Sequence, residues 1–110
     1  MVQLALVALT AFLVVQGVQA WRGSQSAGQV SLKAAPGDIL MVSSLTCPIC
    51  AQAKRWLAEH RVPYAVCEIE QEPACAAAYT AMGAPGTPTF VVRGQRIVGF
   101  DTQRIADALR

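Results

Sequence analysis

Apolar and polar positions divide the chain into three unequal stretches. From Val2 to Ala20 the sequence is almost continuously apolar, broken only by Gln3, Thr10, Gln16, Gly17 and Gln19. That length suffices to cross a bilayer core as a helix. A domain this small has no core able to surround a helix that is apolar on every side. Residues 1–21 therefore read as a signal peptide or transmembrane anchor. Val18-Gln19-Ala20 fits the small-x-small pattern of a signal-peptidase site, and Trp21 stands where an interfacial aromatic belongs. Residues 22–36 are rich in Gly, Ser, Gln and Ala without useful periodicity and read as a flexible tether.

Residues 37–110 carry the pattern of a folded domain. Ile39 to Val42 is a short continuous apolar run, suited to a central strand buried on both faces. A helix is predicted from about Pro48 to His60. Pro48 fits its first position, Cys50, Ala53 and Leu57 form its inner stripe, and Pro63 stops it. Tyr64 to Ile69 alternates like a strand. Pro73 opens a second helix with Cys75, Tyr79 and Met82 on one stripe and Gly83 as its stop. Thr89–Val92 and Arg96–Phe100 form a hairpin around Arg93-Gly94-Gln95, and Asp101 or Thr102 caps a last helix that turns Ile105, Ala108 and Leu109 inward. The order β-α-β-α-β-β-α predicts an α/β fold: a four-stranded mixed sheet with helices on both faces.

Charge removes one class of function. The net charge is +2 over 110 residues, and no basic run with interleaved aromatics occurs, so nucleic acid is not expected as a partner. The positive-inside rule alone would hold the domain in the cytoplasm, because Arg22 and Lys33 follow the apolar segment and nothing basic precedes it. The signal-like end of that segment and a second cysteine pair favour the extracytoplasmic, periplasmic side. Attachment to a membrane through the N-terminal segment is the corresponding expectation.

The chemistry lies in four cysteines. Cys47-Pro48-Ile49-Cys50 stands between a strand and a helix start. The unpaired amides and positive dipole of a helix N-terminus favour a thiolate, so Cys47 should have a lowered pKa and act as the nucleophile. Cys50, one turn on, should resolve the mixed disulfide. Such a motif could also be half of a zinc site, but no second half-site of that type occurs, and the single His60 limits mixed Cys/His sets. No metal site is expected, and His60 reads as a solvated cation at a helix end.

Cys-Pro-Ile-Cys, then Gly86-Thr87-Pro88-Thr89-Phe90, then Val98-Gly99-Phe100-Asp101 resemble the three signatures of the glutaredoxin branch of the thioredoxin superfamily. The resemblance implies the thioredoxin fold, with a cis Pro88 lying against the dithiol and the Thr87 backbone pairing with substrate as an added strand. It implies further substrate contacts at Gly99 and Asp101. Ile49 stands where dithiol glutaredoxins usually carry an aromatic, and Ser44 where they carry Lys. No resident cofactor is implied, and glutathione enters only as an optional co-substrate.

Cys67 and Cys75 fall at the end of the second strand and in the first turn of the next helix, and in that fold both lie toward the same sheet edge as the dithiol. They can form a second, structural disulfide, remain two packed thiols, or act as a second redox pair relaying electrons to Cys50. The expected activity is thiol–disulfide exchange on disulfide-containing proteins or small thiols, served by a reducing or oxidising redox partner. The alternative is a glutaredoxin-like carrier of a metal or an iron–sulfur cluster.

Overall fold

The computed structural model describes Val30 and residues 33–110. The expected signal or anchor, and the tether up to Gln29, lie outside the described residues. Among the described residues no helix is long and apolar enough to cross a membrane.

Seven elements follow one another: β1 (Ile39–Ser43), α1 (Pro48–Glu59), β2 (Ala65–Glu68), α2 (Pro73–Ala81), β3 (Thr89–Val92), β4 (Gln95–Val98) and α3 (Thr102–Ala108). This is the predicted β-α-β-α-β-β-α order. The strands form one sheet in the order β2-β1-β3-β4. β1 is parallel to β2, as a crossover through a helix requires, and antiparallel to β3, while β3 and β4 make the hairpin.

Strand alternation sorts the side chains into two layers. Ile39 and Met41 of β1, Phe90 and Val92 of β3 and Ile97 of β4 share one face and pack against Cys50, Ala53 and Leu57 of α1 and Ile105, Ala106 and Ala108 of α3. Phe100 extends this layer, its ring 5.7 Å from Trp56 and 6.2 Å from Phe90. Val42, Cys67 and Thr89 turn to the opposite face, where Cys75 of α2 meets Cys67. The sheet is thus the wall between two layers of unequal size.

The helix ends follow local chemistry. At the end of α1, Val62 N–H donates to the Leu57 carbonyl (2.9 Å) and Arg61 N–H to that of Ala58 (3.1 Å), with Arg61 at φ 53°. This Schellman closure puts an arginine where glycine is usual. α2 ends the same way with Gly83 at φ 87°, as the glycine predicts. Asp101 caps α3, its Oδ1 accepting from Arg104 N–H at 3.1 Å. Arg93 and Gly94, at φ 47° and 83°, form a two-residue hairpin turn, so Gln95 belongs to β4 and pairs with Val92.

Val30 and Ala34, both from the stretch read as a tether, pack on the domain. Val30 is wholly buried in the core, Ala34 packs against it, and Ala34 N–H donates to the Val30 carbonyl at 3.0 Å. Arg93 clasps this entry to the rest of the fold, donating to the Lys33 carbonyl, the Leu109 carbonyl and Asp38 Oδ2 at 3.2, 2.7 and 3.2 Å. Asp38 also accepts from Ala35 N–H, and this bond together with Arg93 holds its carboxyl below the usual carboxylate range. Val30 stands in a stretch rich in Gly, Ser, Gln and Ala that carries no periodic signal, which is why the sequence places it in the tether.

Candidate active site

β1 delivers the chain through the turn Ser44–Thr46 to Cys47, which is the N-cap of α1. The Cys47 sulfur itself acts as the capping acceptor, taking the Cys50 N–H at 3.1 Å. A sulfur therefore sits on the orphan amides of a helix N-terminus, where negative charge is favoured. Pro48 occupies the first helical position, where a missing N–H costs nothing. Cys50 faces inward and is fully buried, whereas Cys47 is half-buried. The two are paired as a disulfide with Cα atoms 5.2 Å apart, inside the usual range for a bonded pair.

The loop before β3 closes over this pair. The Thr87–Pro88 peptide is cis, and the Thr87 carbonyl oxygen lies 3.4 Å from the Cys47 sulfur. Thr89 Oγ1 donates to the Gly86 carbonyl at 2.6 Å, and Gly86 N–H to the Tyr79 hydroxyl at 2.8 Å, so the loop is fixed from both sides. Gly99 N–H donates to the Pro88 carbonyl at 2.8 Å. That amide holds the Thr87–Pro88 loop rather than standing open, and Asp101 has one carboxylate oxygen engaged as a helix cap. Among the described residues neither Gly99 nor Asp101 hydrogen-bonds to the dithiol.

A second carboxylate braces the other side. Glu70 accepts from the Ser44 hydroxyl and from Leu45 N–H at 3.1 Å, tying the end of β2 to the turn that carries Cys47. These two bonds hold the Glu70 carboxyl below its ordinary range. Deeper in, Lys54 of α1 pairs with Glu68 of β2. Glu68 Oε2 and the hydroxyl of Ser43, its register partner in β1, are buried with no hydrogen-bond partner. Around the dithiol the surface is apolar: Leu45 is 56% and Ile49 52% exposed. Neither of these acidic contacts is signalled in the sequence: Glu70 follows a strand without periodic signal, and Glu68 looks like an ordinary edge residue.

Cys67 and Cys75 are joined as a second disulfide, Cα atoms 5.7 Å apart, pinning β2 to the first turn of α2. They lie at the expected sheet edge but on the face opposite Cys50, because Glu68 next in β2 turns toward Lys54 of α1. A relay of electrons straight from this pair to Cys50 would have to pass the sheet. Cys67, Cys75 and Glu72 have ligand atoms within 4.8 Å of one another, the one grouping among the described residues able to hold a metal ion. His60 is the C-cap of α1; its Nδ1–H donates to the Trp56 carbonyl at 2.9 Å and its ring lies 4.5 Å from the Trp56 ring.

The fold is shared with solved structures of low identity. The thioredoxin-like protein BC3987 superposes with a TM-score of 0.56 at 22% identity, covering 64% of this chain and 97% of that one. The glutaredoxin from Archaeoglobus fulgidus gives 0.54 at 18%, covering 66% and 86%. Glutaredoxin C1 from Populus tremula x tremuloides, in its holo form, gives 0.52 at 21%, covering 78% and 87%. No curated protein matches the sequence. The glutaredoxin family model matches residues 39–97, a span of more than half the chain that runs from β1 through the dithiol and the cis proline to β4. The chain therefore belongs to the glutaredoxin family, with a thioredoxin-like redox function.

Proposed function

We propose that the protein is a thiol–disulfide oxidoreductase that uses Cys47 and Cys50 to reduce or exchange disulfides carried by proteins or small thiols. The observation that carries this reading is the asymmetry of the pair: Cys47 is half-buried and caps α1, while Cys50 is enclosed one turn further in. In the reduced protein the Cys47 thiolate attacks one sulfur of a substrate disulfide. An S–S bond forms to Cys47, the substrate bond breaks, and the first substrate sulfur leaves as a thiolate. Cys50 then gives up its proton and attacks the Cys47 sulfur. This closes the Cys47–Cys50 disulfide and releases the second substrate thiol, so two electrons have passed to the substrate. An external dithiol or small thiol, for which glutathione qualifies, returns the pair to its reduced state.

Thr87 and Pro88 form the substrate edge: the Thr87 carbonyl already faces the Cys47 sulfur and would accept from an extended substrate backbone. Exposed Leu45 and Ile49 favour cystines set among apolar side chains over small charged thiols. Gly99 and Asp101 serve the site by holding the loop and the start of α3. The N-terminal apolar segment would keep this chemistry at a membrane, on the extracytoplasmic side. An insulin-reduction assay on the full chain tests the reading. Cys47→Ser should abolish turnover, and Cys50→Ser should accumulate mixed disulfides. Faster iodoacetamide labelling of Cys50 than of Cys47 would reverse the assigned roles.

A further inference from the structure

Glu72 is oddly placed for a surface carboxylate. It occupies the N-cap position of α2 yet makes no side-chain capping bond, and among the described residues its carboxylate joins no ion pair. Its Oε2 lies instead 3.0 Å from the Cys75 sulfur. While Cys75 is bonded to Cys67 that sulfur has no proton to donate, so the contact brings an anionic oxygen against sulfur lone pairs with no bond to offset it. The contact becomes favourable once the disulfide opens. A thiol can then donate to the carboxylate, or two thiolates and the carboxylate can share a cation.

We propose that reduced Cys67 and Cys75, with Glu72, form a binding site for a thiophilic divalent cation of the zinc class, and that oxidation to the disulfide expels it. Two sulfurs and one carboxylate oxygen are borderline-soft donors that suit such an ion, and three protein ligands leave a fourth position for water. At zinc–sulfur and zinc–oxygen bond lengths, tetrahedral donors stand roughly 3.5–4 Å apart. The three ligand atoms lie within 4.8 Å of one another while the sulfurs are still bonded, so once the disulfide opens the sulfurs need only part by side-chain rotation, with the Glu72 carboxylate already within reach. The N-terminus of α2 adds favourable potential for anionic ligands, Cys75 being in its first turn. Cys67 and Cys75 are buried while Glu72 is exposed, which gives the ion a shielded seat with one open side.

The chemistry balances. Metal uptake by the reduced pair releases two thiol protons and forms two metal–sulfur bonds. Release consumes an external disulfide: Cys67 and Cys75 join, two electrons pass to that disulfide, and the cation leaves with two small thiolates. The site lies on the face of the sheet away from Cys50, so it is separate from the exchange dithiol.

The test uses the full chain in detergent with Cys47→Ser and Cys50→Ser, which removes the other thiol pair. The reduced protein is titrated anaerobically with Co2+ alone. One Co2+ per chain is expected, with thiolate-to-cobalt charge-transfer absorption that Zn2+ displaces and a disulfide oxidant abolishes. Glu72→Gln, an exposed change that leaves the core intact, should weaken Co2+ by at least about tenfold, the lower end of what a lost partner costs a metal site. Absence of charge-transfer absorption in the reduced protein would overturn the proposal. So would an affinity unchanged by Glu72→Gln, or full absorption retained after Cys67→Ser and Cys75→Ser.

Discussion

Lys54→Met should cost more stability than Glu68→Gln, although the two residues form one ion pair. The Glu68 side chain is 9% exposed and that of Lys54 30%. One Glu68 oxygen is held by Lys54, while the other has no partner, as has the hydroxyl of Ser43, its register partner in β1. Removing the ammonium strands a buried carboxylate with no partner on either oxygen. Fully buried pairs lose about 3–5 kcal/mol this way, exposed ones about 0–1. With Lys54 near a third exposed, a loss of about 2 kcal/mol is expected, the methionine keeping most of the aliphatic stem in place. Glu68→Gln leaves a lysine that can swing into water and a neutral amide, so about 0–1 kcal/mol is expected there. For a domain of this size the larger loss lowers Tm by roughly 8–16 °C. Urea and thermal unfolding of the oxidised full chain measure both variants, and the double variant should recover at least half of the Lys54→Met loss. Equal losses for the two single variants, or a Lys54→Met loss under about 0.5 kcal/mol, would show that water screens the pair and refute the reasoning.

Val30→Ala should destabilise the domain by about 1.5–2 kcal/mol, from two buried methyl groups and the space they leave; unfolding by urea decides it, and a chain shortened to begin at Gly28 should exceed one beginning at Pro36 by a similar amount. Glu70 has a lowered pKa through Ser44 and Leu45, so its stabilisation is present above the ordinary carboxylate range and lost as pH falls through the lowered value. Glu70→Gln should therefore start less stable at neutral pH and lose less on acidification, and parallel stability–pH curves for the two proteins would contradict this. Replacing Leu45 and Ile49 together by Gln should slow reduction of a protein disulfide about tenfold, or about 1.4 kcal/mol, and leave a small synthetic disulfide unaffected; equal slowing of both would remove the apolar surface from substrate recognition.

The element order was legible because each element announces itself locally. The Ile39–Val42 run, Pro48 and Pro73 at helix starts and Gly83 at a helix stop all lie in the structure where short-range rules put them, and the hairpin turn falls at Arg93-Gly94, one residue shorter than read. The dithiol was legible for the same reason, since its chemistry depends on two neighbours one helical turn apart. What stayed hidden involves partners remote in sequence. Lys54 with Glu68, Ser44 with Glu70, and Val30 with the core depend on which strand lies beside which, and no periodicity records that. Gly99 and Asp101 were assigned to substrate by resemblance; the structure adds that they also brace a loop and cap a helix. Glu72 carried no sequence signal, and only its approach to Cys75 gives it a distinct character.

Four cysteine sulfurs within one small domain invite mispairing, because under the proposed function a protein that makes and breaks S–S bonds exposes its own cystines to the same reaction. Here the two pairs occupy opposite sides of a hydrogen-bonded wall, with Met41 and Phe90 turned toward one and Val42 and Thr89 toward the other. Attack by one thiolate on another disulfide requires nearly collinear sulfurs in contact, and the sheet denies that approach for as long as β1 and β2 remain paired. Scrambling then demands unfolding rather than a side-chain rotation. If the dithiol cycles as proposed, pairing fidelity is therefore set by the stability of a strand pair, and not by the reactivity of the cysteines.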